Sequence, residues 1–203
     1  DGFHNIEQKL EQFIKRYYLS ALLKGLVLFF AIGLLYALLL LSVEHFFWLG
    51  SSGRLVLFWS VFGFEAVLFY GFIFTPLAKY FKIQNRIDFE TASKIVGDHF
   101  PEVKDKLLNV LQLKQQSEHT EFLLASIEQK SKNLSLIPFK SAVKFSDNIK
   151  YLRYAALPLV ILFLFIVFGK QAVFTDSLKR VVNYNTAYAP PAPFEFFVVN
   201  TSL

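Results

Sequence analysis

GLVLFFAIGLLYALLLLSV, residues Gly25–Val43, and LVLFWSVFGFEAVLFYGFIFTPL, residues Leu55–Leu77, decide how this chain folds. Each is long enough to cross a bilayer as a helix, because about 20 residues at about 1.5 Å apiece span a ~30 Å hydrocarbon core. A third apolar run, Tyr154–Gly169, comes much later and contains Pro158. The stretch between the second and third runs carries 13 of the 21 Lys and Arg residues. The expected fold class is an all-α membrane protein: three transmembrane helices with a cytoplasmic helical insert, followed by the start of an exported β-sandwich-like domain.

Composition agrees. Apolar residues make up 54% of the chain, charged residues 18%, and mean hydropathy is +0.42; soluble domains carry about 25% charged residues. The net charge of +5 does not point to nucleic acid. Lys and Arg collect beside the apolar runs and mix with Asp and Glu, which the positive-inside rule explains. With no cysteine, the chain has no disulfide, Cys-zinc site or thiol nucleophile. Methionine is absent as well, no signal-peptide pattern precedes the first run, and an extended stretch begins just before Leu203. The sequence therefore reads as a piece of something longer.

Charge placement orders the segments. Lys15, Arg16 and Lys24 precede the first run, and Lys79, Lys82 and Arg86 follow the second. The intervening loop, 42–54, has one basic residue, and His45, Phe46, Phe47 and Trp48 there read as an interfacial aromatic belt. The expected layout is an amphipathic cytoplasmic helix over 1–24, a transmembrane hairpin over 25–77 and a cytoplasmic helical domain over 78–153. The third span over 154–169 leads to a periplasmic helix and Pro-rich linker over 170–193. Residues 194–203 would supply the first strand of a β domain. The expected place is a bacterial inner membrane, N-terminus cytoplasmic and C-terminus periplasmic.

Phe3, Ile6, Leu10, Phe13 and Tyr17, spaced 3, 4, 3, 4, draw one apolar stripe on the first helix. That stripe suits a membrane surface, another helix, or the chain's own cytoplasmic domain, and it is a candidate partner-binding stripe. In the insert, helices are expected near 89–100, 101–113 and 120–133. Val103, Leu107, Val110 and Leu111 share one inward face, and Phe122, Leu123, Ser126 and Ile127 another. Pro158 is read as lying near a first turn, where it costs little. Residues 175–184 suggest a short surface helix capped by Thr175, Asp176 or Ser177.

Glu65 demands an explanation, since a carboxylate in mid-span costs about 2.5–3.5 kcal/mol on insertion scales. It fits a protonated side chain hydrogen-bonded in the bundle, an intersubunit contact, or an ion-coupling site. Tyr36 is the depth-matched candidate donor. Asp98, His99, Glu102 and Asp105 cluster around Pro101 but read as capping or solvated residues, with no nucleophile beside them. Phosphate-loop, GxGxxG, HExxH and GxSxG patterns are absent. No catalytic, cofactor-binding or metal-binding residues are assigned.

HFPEVKDKLLNVLQLK at His99–Lys114, ASIEQKS at Ala125–Ser131 and RVVNYNTAYAPPAPFEF at Arg180–Phe196 resemble a family of large inner-membrane proteins from flavobacteria-like bacteria, known as a domain of unknown function. The resemblance implies a large exported region after the third span. It also implies partners among MoxR-type AAA ATPases or von Willebrand A-type membrane proteins, beside membrane lipids and other membrane subunits. The functional expectation is a non-enzymatic inner-membrane anchor or scaffold. The alternative is a subunit of an ion-coupled transport or energy-transducing machine using Glu65.

Overall fold

The computed structural model describes residues 2–115 and 121–190. Every regular element among them is helical: α1 Gly2–Phe47, α2 Ser51–Phe69, a π-helical turn Tyr70–Phe74, α3 Thr75–Tyr80, α4 Phe89–His99, α5 Lys104–Gln115, α6 Glu121–Leu134, α7 Ile149–Val167 and α8 Ala172–Val182. Three segments are long and apolar enough to cross a membrane, within Gly2–Phe47, Ser51–Tyr80 and Phe139–Val167. The described residues thus form an all-helical structure with three helices suited to cross a membrane. The strand expected at 194–203 lies outside the described residues. The chain divides into two compact units, Asp1–Ile32 with Ala66–Ala156, and Gly33–Glu65 with Leu157–Leu203.

The first unit is organised by the start of α1. Nothing between Tyr17 and Gly25 breaks a helix, so the amphipathic segment and the first span form one 46-residue helix rather than two elements. Its stripe is consumed internally. Ile6, Leu10, Phe13 and Ile14 are buried with Val96 of α4, Leu107 and Val110 of α5 and Ile127 of α6, while Phe3 and Tyr17 pack at the edge of that core. Each large apolar side chain so buried contributes about 1.5–3 kcal/mol. Polar contacts fasten the rim. Lys9 donates to the carbonyls of Ser135 and Ile137, Arg86 pairs through both terminal nitrogens with Glu11, and the Ile87 N–H donates to Tyr18 Oη at 3.0 Å.

The insert helices follow their expected periods. Asp88 caps α4 by accepting from the Thr91 N–H at 2.7 Å. Pro101 opens a 3₁₀ turn that runs into α5, and Val103 of the turn is buried with Leu107, Val110 and Leu111 of the helix. Phe122 is a correction: it is 85% exposed, whereas Ile127 is buried as expected, and Ser131 and Leu134 continue its face inward. Spacing finds the centre of the buried face but not how far it extends around the helix.

Pro76 shapes the return helix. It has no N–H for the Phe72 carbonyl one turn back, and the backbone there widens into the π-helical turn, with the Thr75 N–H bonding the Tyr70 carbonyl. The Phe72 carbonyl approaches α1 at Gly25, where any Cβ would overlap it, lying 2.8 Å from its carbon. Glycine lets the two backbones meet, so that the Gly25 Cα–H faces an oxygen that hydrocarbon would leave unsatisfied.

In the second unit the loop between the first two spans is 48–50, much shorter than the expected 42–54, because α1 runs on to Phe47 and α2 begins at Ser51. Pro158 lies in the interior of α7, not near a first turn, since the helix already starts at Ile149. After α7, Gly169 adopts φ +64°, and Lys170 N–H bonds the Phe165 carbonyl, a glycine-closed helix end. The helix beyond it, α8, begins earlier than expected, after Gln171, so Thr175, Asp176 and Ser177 do not cap it. The Phe174 ring packs on Phe165 at 4.6 Å.

Candidate functional site

Glu65 and Tyr36, both in the second unit, are not joined. The Tyr36 ring packs tilted on Phe64 at 4.1 Å between ring centroids, and neither the Tyr36 hydroxyl nor the Glu65 carboxyl makes a hydrogen bond with any described residue. The Glu65 carboxyl instead lies against Gly33 of α1, where a Cβ would come within 2.8 Å of Oε2 and 2.9 Å of Cδ. Gly33 thus provides the room for a carboxyl group in the middle of the span. The predicted partner stripe also changes role. Ile6, Leu10 and Phe13 are core of the helical module, and Phe3 and Tyr17 pack partly buried at its edge.

A second constellation went unread in the sequence. Glu44, the first acidic residue after the run ending at Val43, is fully buried, with Arg54 at 1% and Arg180 at 7% exposure. Arg54 Nε donates to Glu44 Oε1 at 3.1 Å. Arg180 grips both carboxylate oxygens, Nε to Oε1 at 2.9 Å and Nη2 to Oε2 at 2.7 Å. Arg180 Nη2 also reaches Ser177 Oγ at 3.0 Å, and Arg54 Nη1 the Thr186 carbonyl at 3.2 Å. Trp48 lies over the Arg180 guanidinium at 4.2 Å and Tyr188 over that of Arg54 at 4.9 Å.

These distances describe a fastening. Buried charges are tolerated when paired and hydrogen-bonded, and the planar guanidinium presents two donors to two oxygens. The cluster ties the end of α1, the start of α2 and α8 to one carboxylate, with two cations to one anion. Trp48 holds φ 46°, unusual for a bulky residue, and its ring closes over Arg180. The residue read as a lone basic group in an outer loop, Arg54, is the buried hinge of that turn. A signal was present: an acid and a base separated by 10 positions at the edge of a span are both costly there unless they pair.

The acidic group near Pro101 resolves as expected of surface residues, with Asp98 accepting from Lys104 Nζ at 2.7 Å. Among the described residues no group of three or more His, Cys, Asp or Glu side chains is placed to hold a metal ion. The chain matches no family model, no curated protein and no solved structure.

Proposed function

We propose that the chain is a non-enzymatic anchor and scaffold in a bacterial inner membrane, linking a cytoplasmic helical module to a periplasmic arm within a larger envelope complex. The observation that supports it is the continuity of α1. Residues 6–14 of that helix are core of the module, and Glu44 of the same helix is the hub of the buried ion cluster. A single helix with both ends fixed by side chains suits a structural tie. Partners on this reading are membrane lipids and other membrane subunits. The likeness of His99–Lys114 to the flavobacterial family adds MoxR-type AAA ATPases and von Willebrand A-type proteins as those to look for. Isolation from the native membrane in mild detergent, followed by mass spectrometry, tests it: stoichiometric subunits support the scaffold, and a lone protein or homo-oligomer overturns it.

The Glu65 carboxyl, set against Gly33 without a donor, favours one second reading, an ion-coupled machine. Glu65→Gln separates the two. A scaffold assembles and works normally with the isosteric amide, whereas a coupling site assembles normally and loses its activity.

A further inference from the structure

One face of α1 changes character along its length. Gln12, Lys15, Arg16 and Leu19 recur at helical spacing, and Leu23, Leu26 and Phe30 continue the same face. The first four line a cavity of about 280 Å³ with Tyr80, Lys140 and Phe145. No carboxylate lines it. The side-chain ammonium groups of Lys15 and Lys140 form no salt bridge or hydrogen bond with any described residue. Arg16 is held in place, its Nε donating to the Val143 carbonyl at 3.1 Å and its guanidinium stacked 4.6 Å from the Phe145 ring centre. Its terminal nitrogens bond no described residue. The neighbouring acid, Glu11, is engaged by Arg86 and Lys82 and does not neutralise the pocket.

Beyond this basic mouth, Leu19, Leu23, Leu26 and Phe30 are all exposed, and the last two lie inside the apolar run that begins at Gly25. The anion site is therefore continuous with a hydrocarbon-facing stripe. A soluble anion would use only the mouth, and a neutral lipid only the stripe. We infer that this face holds an anionic phospholipid, its phosphate among Lys15, Arg16 and Lys140 and an acyl chain along Leu19, Leu23, Leu26 and Phe30. Basic pockets beside transmembrane helices recognise anionic headgroups by the same electrostatics.

The test is native mass spectrometry of the detergent-solubilised chain titrated with phosphatidylglycerol and, separately, phosphatidylcholine. The wild type should retain phosphatidylglycerol in preference. Lys15→Gln with Lys140→Gln, both away from the core, should weaken that retention by on the order of 10-fold, while Lys15→Arg with Lys140→Arg keeps it. Leu19→Gln with Leu23→Gln should weaken it as well. Equal retention of the two lipids, indifference to the glutamine pair at 15 and 140, or displacement of the lipid by inorganic phosphate alone would each overturn the inference. The last outcome would assign the pocket to a soluble anion.

Discussion

Replacing Glu44 by glutamine keeps the size of the side chain and removes the carboxylate that, among the described residues, both Arg54 and Arg180 bind. The cluster then goes from one excess positive charge to two, in a place where Glu44 and Arg54 are essentially inaccessible to water. Four charge-assisted bonds converge on that carboxylate, one from Arg54 and three from Arg180. Their energies are not additive. Removing one partner of a buried ion pair costs about 3–5 kcal/mol, mostly because the other charge stays buried without compensation. Arg54→Gln differs: Glu44 and Arg180 remain paired one to one, the excess charge disappears, and the cost falls to about 1–2 kcal/mol for the lost hydrogen bonds. Amide hydrogen exchange of Ala172–Val182 in detergent reads the difference locally. With Glu44→Gln, protection of α8 should fall by about 10²–10⁴-fold, and with Arg54→Gln by about tenfold. An equal loss in both variants, or less than tenfold in Glu44→Gln, would refute the argument that the carboxylate holds this unit together.

Gly25→Ala should lower thermal stability in detergent by about 1–3 kcal/mol or more, because its Cβ overlaps the Phe72 carbonyl. Gly63→Ala and Gly71→Ala, whose Cβ atoms would meet nothing, should be neutral or slightly stabilising. Glu11 is held at a pKa of about 2, first by its hydrogen bond to Arg86, against about 4.3 in an unfolded chain. Its folded value is lowered, so its stabilisation is fully present above about pH 4.3 and is lost as pH falls towards 2. Glu11→Gln should flatten acid unfolding, followed by circular dichroism, in that window. Phe13→Ala should cost about 3–5 kcal/mol by opening the module core, whereas Phe122→Ala, at an exposed site, should change stability by less than about 0.5 kcal/mol in the same denaturation assay.

Hydropathy and helical period made much of the fold legible. The three spans stand out because lipid tolerates so few charges, and the α5 face was readable because Val103, Leu107, Val110 and Leu111 leave one consistent stripe. The continuity of α1 was less visible. Lys24 looked like a boundary, yet a long side chain can carry its charge away from an apolar helix face without breaking the helix. Phe122 stands one position off the line of Leu123, Ile127 and Leu134 that meets the core, and its apolar character alone does not draw it inward. The Glu44 cluster was missed for a different reason. Arg180 and Glu44 are 136 positions apart, and no local pattern announces such a pairing. Glu65 was flagged by its cost alone, while the room that Gly33 makes for it is a property of two helices together.

The chain contains no cysteine, so single cysteines placed at exposed positions report which side of the membrane they face. Lys130→Cys lies in α6 of the helical module and Asn185→Cys follows α8. With a membrane-impermeant maleimide on intact spheroplasts, the account predicts labelling of Asn185→Cys at once and of Lys130→Cys only after the membrane is opened. Labelling of both positions from the same side would contradict a chain that ties one face of the membrane to the other.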